Sequence, residues 1–441
     1  MLLTIEKLIY GGEGLAHLPA DERGRGKAAF IPLVLSGEEI EAAITEEKPG
    51  FARGCATKIV AASPHRIQPG CPYFGRCGGC HYQEAGYEHQ IEIKKEILRE
   101  SLRRIAKLEF SGEIRVHTSS PWSYRNRSRL QVRMQPELAL GYFKLASREL
   151  LPVDRCPISS PLINRGIEAV WKIATAGKLA EGICEIEFFA NANDSRMLAE
   201  LTCVGNARRA TVQAWAEQMR AALPEIAGVV AFRESRKATP EPFGTVGESH
   251  LIYSTPDQAY RVSAGAFFQT NRFLVDELVR IVAEDEAGEL ALDLYAGVGL
   301  FSTGLACNFR HIVSVESSQT AAKDLQYNLP ANGKAVQGTA EQFLRRIEGA
   351  GKAGHQYVLA ELGLRPDLIV VDPTRSGLGE RVARLLANTS APRITYVSCD
   401  PATLARDLAI LLGVGYRIQQ VHLVDMFPQT YHLESVVKLA R

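Results

Sequence analysis

The sequence predicts a multidomain α/β protein with a β-rich N-terminal part, a mixed α+β central part and a C-terminal part of alternating strands and helices. Two observations support this fold class. The chain has 441 residues, about three times the usual size of one domain. Its hydrophobic pattern changes near residues 62 and 255, from short apolar runs between glycine turns to apolar strands separated by helices.

Composition excludes several classes of protein. The chain is 46% hydrophobic and 23% charged, as is ordinary for globular domains. No uncharged apolar run approaches the roughly 18 residues of a membrane span. The N-terminal run MLLTIEKLIYGGEG lacks a secretion signal, so we expect a cytoplasmic protein. Because 51 basic residues balance 50 acidic ones, any nucleic-acid surface must be a local patch.

Residues 1–62 predict a small β-barrel, similar to the OB class. Short apolar runs alternate with Gly-Gly, Pro and Ser-Gly turns, which is typical of strands joined by tight connections. Barrels of this kind often bind oligonucleotides. A purely structural β-domain has the same pattern, so the fold by itself does not assign a function.

Residues 63–255 predict a mixed α+β domain. Cys71, Cys77 and Cys80 lie within ten residues. In a chain without a secretion signal, clustered thiols are metal ligands or catalysts more often than disulfides. A charged helix over 88–107 mixes signs at helical spacing, which indicates a solvated amphipathic helix.

A run of arginines in the same domain supplies the local basic patch. Alternation along a strand places these arginines on one face, and arginines beside aromatic rings suit phosphate contacts with base stacking. A solvated strand face is the alternative. The candidate RNA-binding residues are Tyr124, Arg125, Arg127, Arg129 and Arg133.

Residues 256–441 predict a Rossmann-like parallel sheet covered by helices on both faces. Five apolar strands are each followed by a helical stretch, and two more close the chain as a hairpin. This gives seven strands with the last one antiparallel. In such sheets, ligands bind outside the carboxyl ends of the strands.

The first of these strands ends in Asp293-Leu-Tyr-Ala-Gly297-Val-Gly299 and leads into a helix. Glycines at such a turn let a nucleoside cofactor approach the backbone, and Glu316 at the next strand end can bind ribose hydroxyls. Ser302 replaces the third glycine of the phosphate fingerprint. This favours a cofactor without phosphate, such as S-adenosylmethionine, over one that carries a pyrophosphate. A plain αβ turn that binds no cofactor is the alternative.

Two later strand ends carry candidate reactive groups. Asp372 ends the fourth strand, where it faces a ligand or caps its own helix. Cys399 ends the fifth strand, just before Asp400 and Pro401 start a helix. We expect the helix N-terminus to lower the pKa of this thiol and make it a nucleophile, although Asp400 opposes the effect. A buried packing thiol is the alternative.

The runs FFQTN, DLYAGVGLFS, VVDPTRSGL, SCDPATLARDL and HLESVVKL, in this order, resemble the RNA uracil-5-methyltransferase family. The resemblance extends over nearly the whole chain. It implies S-adenosylmethionine-dependent methylation of carbon 5 of a uridine in structured RNA. It also implies that residues 1–62 are a TRAM RNA-binding barrel and that residues 256–441 are the methyltransferase domain, against which 91–121 packs.

The resemblance assigns roles to residues. Cys399 matches the nucleophile that adds to carbon 6 of uracil, Glu434 the base that removes the carbon 5 proton, and Asp372 the acid that holds the uracil edge. Two positions depart from the family: Leu300 stands where a polar residue often contacts the methionine part of the cofactor, and Thr339 where an acid or amide often faces adenine. The implied cofactor-binding residues are Gln269, Asp293, Tyr295, Gly297, Gly299, Leu300, Glu316, Thr339 and Asp372.

The cysteine run resembles the iron–sulfur site of the ribosomal RNA branch. The implied ligands are Cys71, Cys77, Cys80 and Cys156. Four thiolates suit a [4Fe–4S] cluster, whereas the spacing alone also allows zinc or no metal. Together with the barrel, this cluster favours 23S ribosomal RNA as the substrate.

Three other functions stay open at this point. The chain resembles transfer RNA uridine-5-methyltransferases in its chemistry, and cytidine-5-methyltransferases also use a thiolate. A non-catalytic RNA-binding or assembly factor could keep the barrel and the cysteines. In each case we expect an RNA partner, with no membrane and no obligate protein partner.

Overall fold

The computed structural model describes residues 1–19, 26–134, 137–177, 180–205, 207–234, 242–349 and 364–441. These residues form 23 strands and nine helices, and the strands belong to three large sheets and one two-stranded hairpin. No helix in these ranges is both long and apolar enough to cross a bilayer.

The N-terminal sheet has six strands, in the order β1-β5-β6-β4-β3-β2. Burial alternates along β3 and β4, as expected for strands with one covered face. Closure of this sheet into a TRAM or OB-like barrel stays a prediction. The strands are β1 (Leu2–Thr4), β2 (Lys7–Leu8), β3 (Glu13–His17), β4 (Ala28–Pro32), β5 (Glu39–Glu47) and β6 (Phe51–Ala61).

Helix α1 (Tyr87–Arg104) and strand β7 (Ile114–His117) follow the N-terminal sheet. α1 is not the solvated helix that its charges predict, because it is buried on two sides. Ile93 and Ile97 complete the core of the N-terminal sheet. Ile91, Leu98 and Leu102 belong to the core of the C-terminal sheet instead.

The central sheet has seven strands in the order β10-β9-β8-β11-β12-β13-β14, and helices α2 and α3 share its core. The elements are β8 (Arg127–Arg133), β9 (Ala139–Phe143), β10 (Leu150–Pro152), α2 (Pro161–Thr175), β11 (Ile183–Ala190), β12 (Met197–Cys203), α3 (Arg209–Ala222), β13 (Ile226–Arg233) and β14 (Pro242–Gly247). The hairpin β15 (His250–Ser254) and β16 (Ala259–Ser263) follows.

The C-terminal sheet has the order β19-β18-β17-β20-β21-β23-β22-β7, with helices between its strands. Its elements are α4 (Val275–Ala283), β17 (Gly288–Leu294), α5 (Leu300–Leu305), β18 (Phe309–Glu316), α6 (Gln319–Asn328), β19 (Gly333–Gln337), α7 (Ala340–Gly349), β20 (Leu368–Val371), α8 (Gly379–Asn388), β21 (Arg393–Ser398), α9 (Pro401–Gly413), β22 (Arg417–Val424) and β23 (Glu434–Ala440).

This sheet has eight strands rather than the seven that residues 256–441 predict. The additional strand is β7, which pairs in parallel with β22 and covers the edge that β22 would otherwise expose. β7 has only four residues and lies far from β22 in sequence, so hydrophobic periodicity could not assign it to this sheet. β23 is antiparallel to both of its neighbours.

A buried ion pair joins α1 to the segment between β22 and β23. Lys94 Nζ lies 2.6 Å from Asp425 Oδ1, and both side chains are fully buried. Lys94 also donates to the Phe427 carbonyl oxygen (3.0 Å), and Tyr87 donates its hydroxyl to Asp425 Oδ2 (2.9 Å). Since removal of one partner of a buried pair costs several kcal/mol, these contacts fix α1 on this segment.

Candidate active site

The carboxyl ends of four parallel strands meet at one edge of the C-terminal sheet. Asp293 and Glu316 lie at the ends of β17 and β18, while Asp372 and Cys399 directly follow β20 and β21. β23 brings Glu434 to the same edge, because it starts where the antiparallel β21 ends. This edge is where open α/β sheets bind ligands.

Cys399 and Glu434 are neighbours across two adjacent strands. Ser398 pairs with Ser435 in the antiparallel ladder, so Cys399 and Glu434 are the next pair in register. The Ser435 hydroxyl donates to the Ser398 carbonyl oxygen (3.3 Å) and ties the two strand ends together. Glu434 is buried and Cys399 is half-buried.

Asp400 caps the helix that follows Cys399. Its Oδ1 accepts hydrogen bonds from the backbone N–H groups of Ala402 (3.0 Å) and Thr403 (2.8 Å). The Ser398 hydroxyl accepts from the Asp400 N–H (3.2 Å) and donates to its carbonyl oxygen (3.0 Å). The turn that carries the thiol is therefore held on both sides.

The prediction that the helix N-terminus lowers the pKa of this thiol is wrong. Burial raises the pKa of Cys399 to about 12, and the nearby charges of Glu434 and Asp372 act in the same direction. Arg375 opposes them. Because Asp400 occupies the amides of the helix N-terminus, their partial positive charge stabilises the capping carboxylate first.

Three buried carboxyl groups, here called the acid cluster, follow one another along this edge, and the pKa of each of the last two is raised by the one before it. They are Asp293, Asp372 and Glu434. Burial raises the pKa of Asp293 to about 6. Burial and the neighbouring Asp293 raise the pKa of Asp372 to about 7. Burial and Asp372 raise the pKa of Glu434 well above its usual value, with Arg375 opposing them.

The glycine turn after β17 has the local geometry that a bound ligand requires. Tyr295, Gly297 and Gly299 all have positive φ, at 68°, 55° and 96°. A Cβ added at Gly297 would meet nothing within 4 Å, so this residue faces open space. A Cβ at Gly299 would lie 2.9 Å from Leu325, so only glycine fits there.

Asp293 is bonded to Ser302 in the helix after this turn, while one of its two carboxyl oxygens has no hydrogen-bond partner. The Ser302 hydroxyl donates to Asp293 Oδ2 (2.5 Å), and Ser302 also contacts the Ser314 hydroxyl (2.8 Å). Asp293 Oδ1 is buried without a hydrogen-bond partner. Such orphaned oxygens are costly in a folded protein and therefore indicate a partner that binds there. Ser302, which breaks the phosphate fingerprint, thus has a structural role.

Glu316 is connected to the same turn. Its Oε2 accepts from the Gly297 N–H (2.9 Å), and its Oε1 accepts from the Ser318 N–H (2.6 Å). The carboxylate therefore holds the glycine turn in place while remaining half-buried at the strand end.

The other predicted cofactor-binding residues differ in their surroundings. Gln269 and Leu300 are buried and Tyr295 is half-buried. Thr339 is exposed and caps α7, with its hydroxyl accepting from the Gln342 N–H (3.1 Å) and its own N–H donating to Gln342 Oε1 (3.2 Å). This reciprocal cap explains a threonine at that position without a ligand.

Sequence reasoning missed a half-exposed aromatic cluster beside the thiol. Tyr431 packs edge-on against Tyr10 (5.4 Å between ring centroids) and His81 (4.6 Å), and it contacts His432 (4.3 Å). Tyr10 and His81 come from the first 81 residues, so no local pattern near Cys399 could reveal them. The YGGEG run around Tyr10, a tight hairpin tip with an aromatic residue, was the available signal.

The four predicted cysteine ligands line one cavity. The cavity has a volume of about 80 Å³, several times the 10–15 Å³ that one water requires. Burial raises the pKa of Cys77 to about 11 and of Cys80 to about 12, and the charge of Cys156 adds to both shifts. Across the described ranges, however, no group of three or more His, Cys, Asp or Glu side chains forms a metal-ion site.

The structure does not place the five predicted RNA-binding residues on one exposed strand face, and their contact with RNA stays a prediction. Tyr124 is fully buried and donates its hydroxyl to the Pro428 carbonyl oxygen (3.0 Å). Arg125 precedes β8 and lines the cysteine cavity. Arg127 keeps only 13% of its side chain exposed.

Arg127, Arg129 and Arg133 do share a face of β8, but acids on neighbouring strands compensate the first two. Arg127 lies 3.3 Å from Glu187 and donates to the Ala266 carbonyl oxygen (2.8 Å). Arg129 lies 2.6 Å from Glu187. Alternation predicted the shared face and could not predict the glutamates of β11. Arg129 and Arg133 are the two exposed members of the set.

Several known proteins are similar to this chain over most of its length. Residues 86–441 match the family described as tRNA (uracil-5-)-methyltransferase. Proteins named as uncharacterized RNA methyltransferases from Aquifex aeolicus and Thermotoga maritima are each 31% identical to this chain. The alignments cover 99% of this chain and 97% of the Aquifex protein, and 100% and 98% for the Thermotoga protein.

A solved structure shares the fold. The Pyrococcus abyssi tRNA (uracil-54, C5)-methyltransferase, crystallised with S-adenosyl-L-homocysteine, superimposes with a TM-score of 0.74 over the whole of both chains. The two sequences are 23% identical.

Proposed function

The chain belongs to the RNA uracil-5-methyltransferase family, and we propose that it transfers a methyl group from S-adenosylmethionine to carbon 5 of a uridine in structured RNA. The observation that carries the proposal is the placement of Cys399 and Glu434 near each other at the ends of two antiparallel strands, beside a glycine turn that faces open space. A nucleophile, a base and a nucleoside site are the three parts that this reaction needs.

Covalent activation makes the reaction possible, since carbon 5 of uracil is too weak a nucleophile to take a methyl group unaided. In the proposed first step, Cys399 Sγ bonds to carbon 6 and the electron pair of the carbon–carbon double bond moves toward the carbon 4 carbonyl. Because burial raises the pKa of the thiol to about 12, its proton must leave as it attacks, and the acid cluster takes it up.

Methyl transfer and release complete the cycle. The resulting enolate attacks the methyl carbon of the sulfonium, and S-adenosylhomocysteine leaves. Glu434 then removes the carbon 5 proton, the double bond re-forms, and the thiolate departs as the leaving group. Burial raises the pKa of Glu434, which suits a carboxylate acting as a base near neutral pH.

The glycine turn supports S-adenosylmethionine as the methyl donor. The positive φ angles at Gly297 and Gly299 let a nucleoside approach the backbone, and the unpaired Oδ1 of Asp293 is an available hydrogen-bond acceptor. Asp372 lies between this turn and Glu434, with charge effects on both Cys399 and Glu434. We propose that it holds the uracil edge near the donor.

We propose that the cysteine cavity holds a [4Fe–4S] cluster rather than a single zinc ion. The resemblance of the four cysteines to an iron–sulfur site supports the cluster. Zinc, which four thiolates also bind, is the alternative that the spacing leaves open. Cys71, Cys77, Cys80 and Cys156 surround the cavity, and Arg125 lines it as a counter-charge.

The cluster proposal is tested by metal analysis of protein purified without oxygen. We expect about four irons per chain and visible charge-transfer absorbance, both lost in a Cys156→Ser variant. Zinc in place of iron, or no metal at all, would contradict the proposal. A Cys55→Ser variant is the control, because Cys55 is exposed and lies outside the cavity.

Ribosomal RNA is the proposed substrate, on the resemblance of the four cysteines to the ribosomal branch. Transfer RNA is the second candidate, because the structural neighbour from Pyrococcus abyssi acts on transfer RNA by its name. Both candidates use the same side chains, so the site geometry does not choose between them.

The deciding experiment supplies labelled S-adenosylmethionine with separate pools of unmodified ribosomal and transfer RNA. Labelled 5-methyluridine in 23S ribosomal RNA is the expected product, identified by mass spectrometry of the nucleosides. The same product in transfer RNA alone would contradict the substrate and keep the chemistry. Labelled 5-methylcytidine, or RNA binding without any labelled product, would contradict the proposed function.

A further inference from the structure

A residue of the N-terminal sheet reaches the turn that carries the nucleophile. The Tyr10 hydroxyl donates a hydrogen bond to the carbonyl oxygen of Cys399 (3.1 Å), across 389 positions of sequence. The Tyr10 ring packs against the hydrophobic cores of both the N-terminal and the C-terminal sheet. The N-terminal sheet is thus in direct contact with the candidate active site.

We propose that Tyr10 is a positioning residue that sets the orientation of the Cys399 thiol. The proposal rests on the proposed function, since it gives Cys399 the role of nucleophile. It makes the N-terminal sheet part of the active site, beyond any role in binding RNA.

Three consecutive carbonyl groups around Cys399 are held by three different parts of the protein. The Ser398 carbonyl accepts from Ser435 of β23 (3.3 Å). The Asp400 carbonyl accepts from its own helix, at Thr403 Oγ1 (3.3 Å). The Cys399 carbonyl, between them, accepts from Tyr10. Because a peptide group is planar, the direction of this carbonyl fixes the backbone from which the thiol projects.

The tip that carries Tyr10 is rigid. It is a tight turn in which Gly12 N–H donates to the Ile9 carbonyl (3.2 Å) and Ile9 N–H to the Glu13 carbonyl (2.9 Å). Gly12 has a φ of 86°, and a Cβ there would lie 3.0 Å from the His81 side chain. Glycine suits this close approach, so the turn packs tightly against His81, the residue after Cys80.

The aromatic ring of Tyr10 gives the hydroxyl a fixed direction. The ring packs edge-on against Tyr431, three residues before Glu434. Burial raises the pKa of Tyr10, and the charges of Asp400 and Cys399 raise it further. The phenol therefore stays protonated and remains a donor. One side chain therefore contacts the segments that carry both the nucleophile and the base.

Tyr10→Phe removes the hydroxyl and keeps the ring. We expect the rate of methyl transfer at saturating RNA to fall about five- to tenfold, the effect of one lost hydrogen bond and a loosened attack geometry. RNA affinity is expected to stay within about twofold. A kcat that falls while binding is unchanged distinguishes positioning from RNA contact.

Tyr416→Phe is the matched control. The Tyr416 hydroxyl also donates to a backbone carbonyl, that of Ala391 (2.6 Å), and it is buried away from the acid cluster. Its loss should change stability as much as Tyr10→Phe does, or more, without changing kcat.

Hydrogen exchange supplies a readout that needs no methyl transfer. In Tyr10→Phe we expect faster amide exchange in the peptide that spans residues 398–404, and in Tyr416→Phe only near residues 391–392. Unchanged exchange at 398–404 together with an unchanged kcat would overturn the proposal. So would weaker RNA binding at an unchanged kcat. A wild-type protein that methylates no RNA would contradict the proposed function, while the exchange result would still test the contact.

Discussion

Two charged regions of this protein are built in opposite ways. On β8, Arg127 and Arg129 share a face with Glu187, and their charges are compensated at 3.3 and 2.6 Å. At the edge of the C-terminal sheet, Asp372 and Glu434 both act on the Cys399 thiol, and Arg375 opposes the pKa shifts of Cys399 and Glu434. The first arrangement stabilises a sheet, whereas the second keeps charge uncompensated.

The difference separates structure from chemistry. Glu187 already offsets the charges of Arg127 and Arg129, which leaves them less to offer an RNA phosphate. Uncompensated acids shift one another's pKa toward neutral pH, where a base or acid is useful. Residue type alone suggested an RNA surface on β8. Because Glu187 compensates two of those arginines, the acid cluster is the stronger candidate for a functional site.

The contrast between β8 and the acid cluster would fail most clearly if the Cys399 thiol were not reactive. Cys399→Ala should lower the methyl-transfer rate by on the order of 10³-fold or more, because the covalent step is lost. Binding of RNA should persist. The measurement is incorporation of label from S-adenosylmethionine into RNA, and Cys307→Ala, at an exposed cysteine, is the control. Retained turnover in Cys399→Ala would remove the covalent mechanism.

Glu434→Gln sharpens the role of the buried base. We expect the RNA adduct to form and to resolve slowly, so that turnover falls about 10²- to 10⁴-fold. A protein–RNA band should accumulate on a denaturing gel. Glu380→Gln, in the exposed first turn of α8, is the control. Normal turnover without an accumulated adduct would show that another group takes the carbon 5 proton.

Arg127→Met tests the compensated side of the comparison. Glu187 would keep only Arg129 as its cation, and the Ala266 carbonyl would lose its donor, so we expect the free energy of unfolding to fall by about 1–3 kcal/mol. RNA affinity and its salt dependence should change by less than about twofold. Chemical denaturation and an RNA-binding titration measure the two quantities. Arg133→Met, on the exposed end of the same face, should leave stability unchanged.

The opposite result for Arg127→Met, intact stability with weakened RNA binding, would restore the basic patch as an RNA surface. The comparison between the two regions would then fail.

The pH profile tests the coupling inside the acid cluster. Cys399 and Glu434 both have raised pKa values and both react as anions, so we expect the wild-type rate to increase with pH through neutrality. Asp372 contributes to both shifts. Asp372→Asn should therefore lower both pKa values and move the rising limb about one unit toward acid, about tenfold in rate at a fixed pH on that limb.

The measurement is kcat between about pH 5.5 and 9.5, a range that extends to both sides of neutrality. Asp285→Asn is the control, because Asp285 lies outside the acid cluster and asparagine tolerates its positive φ of 61°. A limb that stays in place in Asp372→Asn would mean that the acids do not act on one another.

The sequence predicted the C-terminal fold and the edge where the site lies, since both follow from periodicity and strand order. Asp293, Asp372 and Cys399 come together because parallel strands end at the same edge. That Glu434 joins them depends on β23 running antiparallel beside β21. The closing hairpin predicted an antiparallel strand, and the resemblance supplied the role.

What sequence reasoning missed depends on distant partners. The sign of the Cys399 pKa shift was wrong because burial of the thiol, together with two acids from other strands, outweighs the helix end. Arg127 was interpreted as exposed because alternation reveals a face and not what covers it. The contact from Tyr10 joins residues 389 positions apart, and no local pattern reports such a distance.

The position of α1 has a consequence for how the protein unfolds. Ile93 and Ile97 complete one hydrophobic core while Ile91 and Leu98 complete another. If either core comes apart, the helix loses part of its buried surface, and the packing of the remaining core becomes weaker. We therefore expect the N-terminal and C-terminal sheets to unfold together, because this one helix completes the core of each.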